Sequence, residues 1–322
     1  VGRHKWLQIH RPLPPRSKLA FGILSFVLPV LLWCIISYVP VIWHPQIMVT
    51  DPGSVTYLDA GAHMPRDAFA SVVADATREA RAAPRGVPAN PIYLPSPGAV
   101  LEAFYTAFTT PPETKDGQWL AQSLWHSIQI IFWGYLISSL IGVPLGILCG
   151  AYAAMARLNE PFIEYFRYLP APAFGALAVA ILGIYDGPKI AIIVIGTLFQ
   201  QVLIIANTTR KLDPALLEAA VTLGTRSHQL LTRVVLPGIL PELYRDQRIL
   251  LGWAWTYLIV AELIGATSGI TWFITQQARY QHFANMYAAI AMIGIIGLGT
   301  DLVLAAIGRR LFPWDRPLAK PA

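Results

Sequence analysis

The feature that most limits what this chain can become is the recurrence of long apolar runs from one end to the other. A helix rises about 1.5 Å per residue, so about 20 apolar residues cross a hydrocarbon core of roughly 30 Å. Six such stretches stand out, over residues 19–43, 123–152, 162–184, 189–207, 249–266 and 287–311. Lipid offers no water to backbone N–H and C=O groups, so such spans close their hydrogen bonds internally as helices. The expectation is an all-α, polytopic membrane protein with about six transmembrane helices. Composition agrees: 13% of the 322 residues are charged, against about a quarter in an average soluble domain. The first run follows a basic segment, as in a secretory signal, but the apolar part of a signal is only ~7–15 residues long. It is expected to be retained as a span.

Orientation follows from Lys and Arg, which accumulate in cytoplasmic loops. Seventeen of the 24 fall in segments 1–18, 155–168, 209–248 and 309–322, and five of the remaining seven share one long connection. Both termini are therefore expected in the cytoplasm. The chain divides into a basic N-terminus (1–18), a first transmembrane helix (19–43), an outer insertion (44–118), a transmembrane core (119–311) containing a cytoplasmic loop (209–242), and a cytoplasmic C-terminus (312–322). Trp43, Trp119, Trp272 and Trp314 lie near span ends, where an indole suits the interface.

Within the insertion, Phe69, Val72, Val73, Ala76 and Ala80 recur at helical spacing, predicting an amphipathic surface helix over 66–83. Pro84, Pro88 and Pro91 then hold the chain extended. Ser96 as N-cap and Pro97 as first helical residue predict a second short helix through Phe108. In the core, the 123–152 run is too long for a perpendicular crossing; it can tilt, bend near Pro144 or continue beyond the membrane. Pro170 and Pro172, with Gly175 and Gly183, make the third run irregular.

Several classes of chemistry are not expected. The net charge of +6 comes from loops between spans rather than a basic stripe with stacking aromatics, so no nucleic acid is expected as partner. Cys34 and Cys149 lie in apolar runs, the seven histidines lack ligand spacing, and no Ser, His and carboxylate set is arranged for catalysis. No catalytic residue and no metal site is expected. G-x-x-x-x-G-K-[ST] is missing too, so a nucleotide must be handled elsewhere.

The loop between the fourth and fifth runs is the most informative segment. Asp213 is a strong N-cap, Pro214 a natural first helical residue, 215–223 are helix formers, and Gly224 offers a left-handed stop. A second helix over 227–236 is expected to end before Pro237. The result is a helix, a sharp turn and a helix, an elbow able to transmit a rigid push.

At these residues the chain resembles the membrane subunits of ATP-binding-cassette (ABC) importers, whose loop reads E-A-A, three residues, G, nine residues, then I-x-L-P. Glu218, Ala219, Ala220 and Gly224 match, nine residues intervene, and Val234, Leu236 and Pro237 complete it with Val for Ile. The resemblance implies a type I importer permease fold in a bacterial inner membrane, with the elbow seated on a cytoplasmic ATPase. Small Ala219 and Ala220 would permit close approach, Gly224 the turn, and Glu218 a polar contact or a local cap. It also implies a second permease copy, two cytoplasmic ATP-binding subunits carrying ATP and Mg, and a periplasmic or lipid-anchored substrate-binding protein. Leu94-Pro-Ser-Pro, Gly142-Val-Pro-Leu-Gly146, Asn159-Glu-Pro161, Trp253-Ala-Trp-Thr, Ala261-Glu-Leu-Ile264, Asp301 and Arg309-Arg-Leu-Phe-Pro-Trp314 resemble the nitrate, sulfonate, taurine and bicarbonate group, implying a small anion or organic sulfonate as cargo. The chain departs from that group in lacking a Pro-Leu pair after Ala171 and in its long insertion. An ion-gradient-driven secondary transporter is the alternative; it calls for internal repeats and leaves the elbow without purpose.

Polar residues inside apolar runs complete the candidates. Gln200, Gln201, Glu262 and Asp301 could line or gate a pathway. Gln200 and Gln201, with Asn207, serve equally as interhelical hydrogen bonds. For the two carboxylates a structural role is favoured, binding a helix end or a basic residue, since a carboxylate repels an anion. Arg167 and Lys189 are read as interfacial topology markers more than as anion ligands.

Overall fold

The computed structural model describes residues 14–39, 44–111, 119–264 and 268–315. The expectations on Arg3, Lys5, Arg11, Trp43, Lys115, Ala266 and residues 316–322 lie outside these. The chain forms two compact units, one of Val1–Thr109 with Gln277–Ala288, the other of Thr110–Gln276 with Ala289–Ala322.

The first unit opens with α1 (Pro15–Tyr38), whose most apolar stretch has none of its residues buried within the protein. A helix apolar on every side has lipid as its solvent. After it come β1 (Gln46–Asp51), β2 (His63–Pro65), α2 (Arg66–Arg78), β3 (Arg85–Ala89) and α3 (Pro97–Thr109). The strands form an antiparallel sheet in the order β2-β1-β3, with Ile47 opposite both Met64 and Pro88. This sheet was not anticipated. Pro88 argues against a central strand, and an edge is where a missing N–H is tolerated. α2 ends short of the expected 83 because Ala80 adopts φ 51°. Arg81 N then donates to Ala76 O and Ala80 N to Thr77 O, closing the helix with a left-handed residue.

α3 begins where the sequence placed it, with Ser96 Oγ accepting from Ala99 N at 3.3 Å. Trp33 Nε1 of α1 donates to Pro95 O at 3.1 Å, and Gly98 N donates to the Tyr38 hydroxyl at 3.0 Å. Val100 and Ala103 bury against Ala288.

The second unit holds α4 (Leu120–Ala151), α5 (Ala153–Arg167), a 3-10 turn (Ala171–Phe174), α6 (Gly175–Leu182), α7 (Asp186–Arg210), α8 (Pro214–Thr222), α9 (Ser227–Leu230), a π turn (Leu231–Val235) and α10 (Leu236–Leu263). α11 (Ile270–Arg279) and α12 (Phe283–Leu311) follow, each with residues in both units. Among the described residues, four helices are long and apolar enough to cross a membrane: α1, α4, α7 and α12. A fifth is added if α5 and the segment 171–182, bent by 88° across the break at 168–170, form one broken span. The irregular third run is thus a break. α10, the expected fifth span, falls outside this set; its last 18 residues carry Asp246, Arg248 and Glu262.

α4 runs through Pro144 as one helix and lies along α7. Gly134, Ser138, Gly142, Gly146 and Gly150 recur every four residues as a ridge of small side chains on this seam. A Cβ on Gly146 would stand 2.8 Å from Ile205 Cβ and 2.9 Å from Val202 O. Between spans in lipid, close backbone approach supplies the packing that hydrophobicity supplies in water.

The second elbow helix does not stop before Pro237. It continues through the π turn into α10, with Pro237 in that helix's first turn. Proline lacks the N–H an interior position needs, and a widened turn just before it lets the helix pass.

Candidate functional site: the elbow and the polar networks

Asp213 Oδ1 accepts from Ala215 N at 2.9 Å and starts α8. At the other end Thr225 N donates to Ala220 O and Gly224 N to Val221 O, with Gly224 at φ 77°. This paired closure needs a left-handed residue, which glycine supplies without strain. Leu217, Leu231 and Leu236 pack on a buried cluster of Ile147, Ile205, Val235, Ile239 and Leu243, so the elbow is anchored to the ends of α4, α7 and α10.

The structure separates the two small residues of the motif. Ala220 is buried against its own unit, whereas Glu218 and Ala219 are exposed. Leu216, Val221 and Leu223 are exposed as well, Leu223 to 86%. Leu236 is half-buried and Pro237 exposed. The outward face of α8 is therefore apolar and carries one carboxylate.

Gln201 is fully buried at the meeting of three helices. Its Oε1 accepts from Ser138 Oγ at 2.8 Å, and its Nε2 donates to Ser139 Oγ at 2.9 Å and Gln247 Oε1 at 2.7 Å. Tyr135 donates to the same Gln247 oxygen. Gln200 is half-buried, and Asn207 is exposed, accepting from Arg210 Nη1 at 3.2 Å.

Glu262 is fully buried and ties α4 to the start of α11. Its Oε1 accepts from Ser127 Oγ at 2.5 Å and its Oε2 from Thr271 N at 2.8 Å, while Ser127 Oγ accepts from Ile270 N at 2.8 Å. The first N–H groups of a helix have no partner within it, and an anion there also meets the positive end of the helix dipole. Gly269, at φ +104°, makes room: a Cβ there would fall 2.1 Å from Glu262 Oε1.

Lys189, expected as an interfacial marker, is drawn into a polar network near the start of α7. Its side chain is 0% exposed, and Nζ donates to Ser268 Oγ at 3.0 Å and Asp186 Oδ1 at 3.3 Å. His126 Nε2 lies 3.0 Å from that Asp186 oxygen and 3.0 Å from Ser268 Oγ. Only the Asp186 to Lys189 spacing at a helix start hinted at this; His126 and Ser268 carry no local signal.

Asp301 accepts from Arg248 Nε at 3.1 Å and from Nη2 at 2.8 and 2.9 Å. Such a forked pair fixes both planes. Near the elbow end, Asp246 Oδ2 accepts from Thr208 Oγ1 at 2.5 Å. Burial pushes the Asp246 carboxyl above the usual carboxylate range; Glu242 adds to the rise, while the Thr208 bond, Lys211 and Arg245 oppose it.

Residues 142–313, which include the elbow, Glu262 and the Arg248–Asp301 pair, match the family model described as "Binding-protein-dependent transport system inner membrane component". A probable ABC transporter permease of Brucella abortus is 32% identical over 224 residues, 70% of this chain and 87% of the relative. The taurine transport system permease of Escherichia coli is 33% identical over 225 residues, 70% of this chain and 81% of the relative. A putative aliphatic sulfonates permease of Bacillus subtilis is 29% identical over 199 residues, 61% and 72% of the two chains. Among solved structures, an inward-facing methionine ABC transporter superposes with TM-score 0.55 at 20% identity, covering 61% of this chain and 98% of that one, a likeness of fold. The seam, the elbow and these matches agree, and the chain belongs to the family of inner-membrane permease components of binding-protein-dependent ABC importers.

Proposed function

We propose that this chain forms the translocation pathway of an ATP-driven importer for a small sulfonate or related oxoanion, and that the elbow from Asp213 to Pro237 receives the stroke of a cytoplasmic ATPase. Permeases of this family work with an ATPase and a substrate-binding protein. The observation that carries the coupling role is the elbow's two-sidedness: Leu217 and Ala220 face the chain's own core, whereas Leu216, Ala219 and Leu223 present an unpartnered apolar face. Apolar area kept exposed beside a carboxylate is what a partner groove would cover. Taurine and sulfonate relatives support the cargo class. In this assembly the chain pairs with a second permease copy, both termini face the cytoplasm, and the sheet-bearing segment 44–109 stands outside as a contact for the binding protein.

The test is Gly224→Val in the co-purified importer. A β-branched residue in the left-handed region costs upwards of ~1–2 kcal/mol, so the α8 closure should open and stimulated ATP turnover should fall while the membrane fold persists. Unchanged ATPase association and turnover would refute the coupling role.

A further inference from the structure

Between α10 and α12 lies a cleft of about 230 Å3 whose lining includes Arg248, Gly252, Trp255, Gly294, Gly297 and Asp301. Its glycines differ from those of the α4–α7 seam. A Cβ on Gly252, Gly294 or Gly297 would meet nothing within 4 Å, so packing within the chain does not demand them, and their effect is to keep the cleft open. Arg248 spends Nε and Nη2 on Asp301 and leaves Nη1 outside the pair. The arginine side chain is 23% exposed and the aspartate 47%; the carboxylate is the better hydrated partner and the one that leaves for water at lower cost. A guanidinium fork also matches the oxygens of a sulfonate or planar oxoanion as well as it matches a carboxylate.

We propose that Arg248 is the anion-receiving group of the pathway and Asp301 its exchangeable counter-ion, the cleft taking a small sulfonate or oxoanion whose oxygens replace the aspartate. Asp301 pairs the Arg248 guanidinium between cargo molecules. Exchanging one anion for another keeps the site favourable to enter and weak enough to leave, which conduction requires. This inference rests on the small-anion reading of the cargo.

The experiment uses the whole importer in liposomes, with labelled taurine and labelled nitrate as probes and calorimetry of the binding protein with each. Arg248→Gln should lower uptake about 30-fold, as truncating the charged partner of a bound anion does. The deciding variant is the exchange Arg248→Asp with Asp301→Arg, which restores an ion pair between α10 and α12 but moves the cation to the other helix. Assembly by size exclusion should survive and uptake should stay low; uptake restored to near the unmodified level would show that the pair only staples the helices and would overturn the proposal. Gly297→Leu, which fills the cleft, should abolish uptake in an intact assembly; loss of assembly instead would show that a second copy occupies the cleft, and would overturn it equally. A binding protein that takes neither probe sinks the small-anion reading itself, whereas probe binding together with full uptake by the exchanged pair sinks only the cleft assignment.

Discussion

Glu262→Gln isolates one structural joint. The carboxylate accepts from Ser127 Oγ and from Thr271 N, and Thr271 is the second residue of α11, a position whose N–H has no acceptor inside its own helix. Glutamine presents one oxygen in place of two, so one of these bonds is lost and a donor amide meets a former donor. A hydrogen bond to a charged acceptor contributes about 1.5–3 kcal/mol, which converts to an opening equilibrium raised about 10- to 150-fold. Hydrogen exchange on the purified protein, followed at peptide level, should show accelerated exchange at the start of α11, with α7 unchanged. Exchange equal to that of the unmodified protein would refute the view that Glu262 pins this helix, and would place its partner elsewhere.

Three further outcomes follow from the same geometry. Gly146→Val drives a branched side chain into Ile205 and the Val202 carbonyl and should cost about 1–3 kcal/mol by overpacking; thermal unfolding in detergent should shift down, whereas Gly22→Ala, with nothing within 4 Å, should leave it unchanged. Lys189→Met removes the donor to Asp186 and Ser268 beside His126 and, with Asp186 partly open to solvent, should cost about 1–3 kcal/mol, read as a lower folded yield with membrane orientation intact; a reversed orientation in reporter fusions would instead make Lys189 a topology marker. Ala80→Gly relieves the left-handed residue that closes α2 and should slow hydrogen exchange of that helix modestly, the strain of about 1–2 kcal/mol being partly offset by glycine's greater unfolded freedom.

The parts legible in the sequence were those written in local chemistry. Asp213, Pro214 and Gly224 fix α8 by capping and by one positive φ, and Ser96 and Pro97 fix the start of α3. The apolar runs marked α1, α4, α7 and α12 because lipid leaves a helix no other choice. What escaped was set by distant residues. Pro84, Pro88 and Pro91 announced an extended chain, but only pairing with Gln46–Asp51 makes part of it a strand. Pro237 looked like a stop because the π turn that accommodates it has no composition of its own. Lys189 counted as a loop charge because its acceptors lie 3 and 79 positions away. In the elbow, sequence spacing could not tell Ala219 from Ala220; the direction each faces depends on how Leu217 docks on the cluster around Ile205.

That difference supplies the most direct test of the coupling role. Single cysteines at Ala219, Ala220 and Leu223, in a background lacking Cys34 and Cys149, can be cross-linked to the co-purified ATPase. Adducts that change on ATP binding are expected from Ala219→Cys and Leu223→Cys, and none from Ala220→Cys. Absence of any adduct from the two exposed positions, or equal cross-linking from all three, would contradict the coupling role.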